Sequence, residues 1–184
     1  MTPVIKIVVA GPFGSGKTTF VHSACPDAIG SERAVSDETA RLKEQTTVAM
    51  DHGTARIAID GAERIVTLFG TPGQERFSFM WPLLARGMAG YVLMVDASRL
   101  QSQAQVKGIA RRFQSIAPHT PFVLAANRWD SAQLSADDLG AFVGVPAATI
   151  VACDPREKAD AHTVLAQLAS RADADGRVLA GVQP

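Results

Sequence analysis

Short apolar runs recur along the chain, separated by stretches whose apolar residues return with a helical period. Val4–Ala10, Gly90–Asp96 and Phe122–Ala126 are almost wholly apolar, the pattern of strands covered on both faces. Further strands are predicted over Thr54–Asp60, Arg64–Phe69 and Thr149–Ala152. Helices are predicted over Lys17–Ala24, Phe79–Arg86, Leu100–Ile116, Ala136–Phe142 and Lys158–Ala172. Asp60-Gly61 between the second and third strands is a tight hairpin signal, so those two strands should run antiparallel. The alternation of strand and helix therefore predicts an α/β fold: a six-stranded, mostly parallel sheet with one antiparallel edge strand and helices on both faces. Ser135, three residues before Asp138, has the spacing of a capping box. Residues 27–47 form a long polar connection, and such loops in compact α/β domains usually serve function. One domain is expected over residues 1–172, followed by a loosely held tail over 173–184.

Composition narrows the classes. The chain has 184 residues, suited to one domain, with 47% hydrophobic and 20% charged residues, far from a disordered composition. Its 18 basic and 18 acidic side chains cancel, which gives no support for a general nucleic-acid binder. Cys25 and Cys153 are too few and too far apart for a disulfide framework or a metal-site pattern. The early strand leaves no room for a signal peptide, Thr2 excludes myristoylation, and Gly181-Val-Gln-Pro lacks a prenylation cysteine. A cytoplasmic protein with no intrinsic membrane anchor is expected.

The sharpest chemical signal follows the first strand. Gly11-Pro12-Phe13-Gly14-Ser15-Gly16-Lys17-Thr18 fits G-x-x-x-x-G-K-[ST] at every fixed position. Glycines let successive backbone N–H groups turn inward onto phosphates, at a helix N-terminus whose dipole favours anions. Lys17 would reach the outer phosphates and help catalysis, and the Thr18 hydroxyl would ligate Mg²⁺. Gly11, Phe13, Gly14, Ser15, Gly16 and Thr19 complete the expected cradle. These residues define a P-loop NTPase, and leave the base and the reaction open.

Base choice is indicated after the fifth strand. Asn127-Arg128-Trp129-Asp130 is similar to the guanine-reading N-K-x-D of small GTPases. That resemblance implies that Asp130 accepts from the guanine N1–H and 2-amino group, while Asn127 ties the base edge to the P-loop. Arg128 replaces the usual lysine, and its planar group could lie on the purine face. Ala152-Cys153-Asp154 falls where GTPases place a backbone N–H against guanine O6, so Ala152 and Cys153 are also expected at the nucleotide.

Phe69-Gly70-Thr71-Pro72-Gly73-Gln74-Glu75 resembles the D-T-A-G-Q-E segment of Ras-like GTPases, with Gly70 at the Asp position. The resemblance implies that the Gly73 N–H meets the γ-phosphate and that Gln74 orients the attacking water. Thr47, just before the second strand, would close on Mg²⁺ and the γ-phosphate as a switch threonine does. Since glycine cannot support the metal, Asp51 is a candidate to replace the missing acid in part, the alternative being a plain charge at the strand edge.

Thr47 through Asp51, the non-acidic position 70 and Thr71-Pro72-Gly73-Gln74 together resemble the bacterial Ras-like GTPases of the MglA type, and still more the conservon GTPases of actinomycetes. The resemblance implies a Ras-like G domain and a GTP/GDP switch with slow GTP hydrolysis, signalling through partner proteins such as roadblock-fold regulators. Phe77-Ser78-Phe79-Met80-Trp81 puts four large apolar side chains in five residues, too many to face inward, and offers such partners a surface. Two other readings stand beside this one: a nucleotide-binding scaffold that hardly hydrolyses, and a P-loop kinase, which would leave Asn127–Asp130 unexplained.

Overall fold

The computed structural model describes residues 4–29, 50–59, 61–73 and 75–174. Six strands form one sheet: β1 (Val4–Ala10), β2 (His52–Ile59), β3 (Ala62–Gly70), β4 (Gly90–Asp96), β5 (Phe122–Asn127) and β6 (Ile150–Ala152). Their order is β2-β3-β1-β4-β5-β6. β2 runs antiparallel to β3, from His52 opposite Phe69 to Ile59 opposite Ala62, and every other pairing is parallel. This is the expected α/β architecture, with its antiparallel strand at the edge.

Among the described residues, five α-helices cover the sheet: α1 (Lys17–Ala24), α2 (Trp81–Ala85), α3 (Leu100–Ile116), α4 (Ala136–Val143) and α5 (Lys158–Ala174). Phe20 and Val21 of α1 and Val164, Leu165 and Leu168 of α5 pack on one face with Ile7, Val9 and Met94. Trp81 and Leu84 of α2, Val106 and Phe113 of α3, and Leu139 of α4 pack on the other with Val8, Tyr91 and Leu93. Every residue of β4 is buried, which is why its sequence is apolar without alternation. Tyr91 and Phe113 meet at 5.1 Å and Trp81 and Phe113 at 5.4 Å between ring centroids, an aromatic layer under α3.

Local chemistry sets several boundaries. Ser135 Oγ accepts from the Asp138 N–H at 3.1 Å and donates to its carboxylate at 2.7 Å, and Gly144 closes α4 with φ 88°. The helix predicted over Phe79–Arg86 is instead a 3₁₀ segment, Glu75–Met80, followed by α2. Pro82 explains the break, because a proline fits only the first turn of an α-helix. A 3₁₀ turn, Ala147–Thr149, likewise takes the first residue of the predicted sixth strand. α5 runs to Ala174, two residues into the expected tail, whose remainder lies outside the described residues.

Candidate nucleotide-binding site

β1 pairs with β3 on one side and β4 on the other, so successive connections diverge at its carboxyl end, where ligands of open α/β sheets bind. Residues 11–16 turn there into α1. Gly16 has φ 106°, and a Cβ on it would lie 2.9 Å from Pro155 and 3.1 Å from Asn127 Nδ2, so only glycine fits. Pro12 O is the hub of the loop, accepting from Ser15 N at 3.3 Å, Ser15 Oγ at 2.9 Å and Lys17 Nζ at 2.6 Å. Lys17 is buried, and burial pulls its ammonium down to about 8 against the smaller opposing effect of the Asp51 carboxylate. A cation held at that cost invites an anion to complete it.

Gly73 approaches the same place from the segment after β3. A Cβ there would lie 2.7 Å from Lys17 Nζ and 3.0 Å from the backbone of Phe13. Phe13 itself stands exposed at the mouth of the loop. Gln74 and Thr47 lie outside the described residues, as do residues 30–46.

The neighbourhood of Gly70 holds an acid from the residue just before β2. Gly70 N donates to Asp51 O at 2.8 Å, and a Cβ on Gly70 would sit 3.1 Å from Asp51 Cβ and 3.3 Å from its Oδ2. That oxygen accepts from Thr18 Oγ1 at 2.7 Å, while Oδ1 lies 3.6 Å from His22 Nε2. Thr18 and Asp51 thus present hard oxygen donors side by side. No group of three or more His, Cys, Asp or Glu suited to a metal exists among the described residues. The donor set still fits Mg²⁺, which is commonly held by one or two carboxylates together with nucleotide phosphates and water.

The second half of the site is a cavity of about 550 Å³. Gly14, Gly16 and Thr19 of the P-loop and α1 line it together with Asn127, Asp130, Ala152 and Cys153. Asn127 Nδ2 donates to Ser15 O at 3.3 Å, tying the end of β5 to the P-loop. Arg128 occupies the left-handed region at φ 55° and turns its guanidinium onto Asp96, 2.8 Å from Oδ2. Asp96 is buried, and its other oxygen accepts from Ser98 N and Oγ. Arg128 therefore lines the cavity as half of an ion pair. Cys153 is buried with its thiol pushed up to about 12, first by burial and then by Asp160 and Asp154, which makes it an inert wall. Asp96, Arg156 and Asp160 were not singled out from sequence, and Asp154 was named only as part of the loop after the sixth strand. The signal that could have found Asp96 is a carboxylate ending an otherwise apolar strand.

The fold and this site define the class: a P-loop nucleotide-binding protein with a Ras-like fold. Residues 25–170 match the family described as "Conserved hypothetical ATP binding protein", and the chain belongs to that family. The match begins after residues 11–18, so the family and the P-loop are separate signals. Relatives include Ras-related protein Rab-5B of Plasmodium falciparum, 25% identical over 91% of this chain and 77% of that protein. Ras-related protein Rab-18 of Lymnaea stagnalis is 28% identical over 53% of this chain and 43% of its own. An uncharacterized protein of Methanocaldococcus jannaschii is 35% identical over 52% of this chain and 53% of its own. The match to these last two thus spans about half of their length or less. No helix among the described residues is long and apolar enough to cross a membrane.

Proposed function

We propose that the chain is a small Ras-like GTPase of the MglA and conservon type, a switch that binds GTP with Mg²⁺ and hydrolyses it slowly. The observation that carries this reading is that one cavity is lined both by the P-loop glycines Gly14 and Gly16 and by Asn127 and Asp130. Phosphates would lie against the amides of Gly14–Thr18 and Lys17 Nζ. Asp130 would accept from guanine N1–H and the 2-amino group, donors that adenine does not offer in that arrangement. This is where the reading departs from the ATP of the family's description.

Mg²⁺, when bound, supplies charge neutralisation between the outer phosphates. Thr18 would ligate it, Asp51 would support it in place of an acid at 70, and Thr47 would close over it. Gln74 would orient the water and Gly73 would donate to the γ-phosphate, so that two segments order around the terminal phosphate and relax after its loss. Beyond this site Phe77 and Trp81 are buried, whereas Phe79 is 71% and Leu83 61% exposed. That pair, one turn apart beside the Gln74 segment, would be the surface for regulatory proteins, including roadblock-fold ones, with the protein signalling in the cytoplasm.

Competition binding tests the reading. GTP should displace a fluorescent guanine nucleotide far better than ATP. Asp130→Asn, whose amide can donate to a 2-oxo group, should move the preference toward XTP. Under single turnover Gln74→Leu should hydrolyse bound GTP more slowly than the parent; equal rates would leave a non-hydrolysing scaffold.

A further inference from the structure

The loop after β6 has spent its main-chain donors. Cys153 N donates to Ala126 O at 3.0 Å, and Asp154 N to Asp160 Oδ2 at 2.9 Å. Pro155 has no N–H, Arg156 N donates to Asp154 Oδ1 at 3.0 Å, and Glu157 N to Asp154 O at 3.0 Å. A purine oxygen entering the cavity beside this loop would find no free amide in residues 153–157. It would find a guanidinium. Arg156 lines the cavity with Asp154 and Asp160. Its Nε and Nη2 grip the Asp154 carboxylate at 2.9 and 2.6 Å, which fixes the plane and turns the two Nη1 hydrogens away from that partner. The grip holds the Asp154 carboxyl at about 2, so the pair stays charged throughout the physiological range. Arg128, the other arginine of the cavity, is committed to Asp96.

We propose that the Arg156 side chain, anchored by Asp154, is the donor that reads the 6-oxo group of a guanine nucleotide, in place of a backbone amide. The inference rests on the guanine reading above and adds the residue that tests purine position 6. A guanidinium offers only donors, so a 6-oxo group is accepted, while the 6-amino group of adenine meets donor against donor.

Calorimetry on the full chain with GDP, IDP and ADP separates the possibilities. IDP keeps the 6-oxo group and lacks the 2-amino group. Arg156→Ala should weaken GDP and IDP about 5- to 20-fold, as expected for one charge-assisted bond at a wet site, and leave ADP unchanged. Arg156 is exposed, so folding should be intact, and an unchanged melting temperature checks it. Undiminished GDP affinity in the variant would overturn the proposal. So would equal losses for GDP and ADP, which would reduce Arg156 to a general attractor of phosphate. If the parent protein itself prefers ADP to GDP, the guanine reading fails first, and that result is distinct from either.

Discussion

Lys17 gives a prediction in which binding and stability move in opposite directions. In the free protein its ammonium is buried against Pro12 O, and its pKa falls from 10.5 to about 8. At ~1.4 kcal/mol per pH unit, this drop amounts to a folding cost of about 3 kcal/mol at neutral pH. Lys17→Met removes the charge and keeps an unbranched side chain. It leaves no orphan, because Pro12 O still accepts from Ser15 N and Oγ. Nucleotide-free Lys17→Met should therefore be more stable than the parent by about 2–3 kcal/mol at pH 7, while losing nucleotide binding. The sign follows from the depressed folded pKa. The cost is full below pH 8, shrinks as pH rises toward 10.5 and vanishes above it, so the two proteins should converge in alkali. Urea denaturation followed through Trp81 and Trp129 fluorescence, after stripping nucleotide with EDTA and phosphatase, measures the difference. A variant no more stable than the parent at pH 7, or an advantage that persists unchanged to pH 10.5, would refute the reasoning.

Nucleotide phosphates should restore the Lys17 charge, so GDP affinity should fall as pH rises above about 8, with proton uptake on binding visible as buffer-dependent heat in calorimetry. Asp51→Asn should raise the Mg²⁺ concentration needed to retain bound nucleotide by about 10–100-fold, measured by release at graded free Mg²⁺. Phe113→Ala, which empties a fully buried position between Tyr91 and Trp81, should cost about 3–5 kcal/mol in chemical denaturation without altering the nucleotide preference of the folded fraction.

Continuity of burial governs how much of this was legible in the chain. β1, α1, β4 and α3 have the bounds read from sequence, because β1 and β4 are apolar but for Lys6 and the final Asp96, and α1 begins where the Gly-rich turn must end. The segment after Gly73 was less legible: one helix was expected over Phe79–Arg86, while Pro82 splits the stretch into a 3₁₀ segment and a short α-helix. The phosphate end of the site depends on local spacing and was readable as such. The rest of the site depends on where distant elements dock. Asp160 reaches Asp154 N from the first turn of α5, and Asp96 reaches Arg128 from the end of β4, pairings that no local pattern announces.

On the proposed reading, the acid beside Thr18 stands across a strand pair from the position where Ras-like GTPases carry theirs. Asp51 and Gly70 share a backbone hydrogen bond and nearly the same volume, so neither can mutate freely without regard to the other. A lineage could return the carboxylate to position 70 only through an intermediate carrying two acids in one space or none at all. Homologues should accordingly fall into two camps, trading the acid between these columns, with few sequences caught halfway.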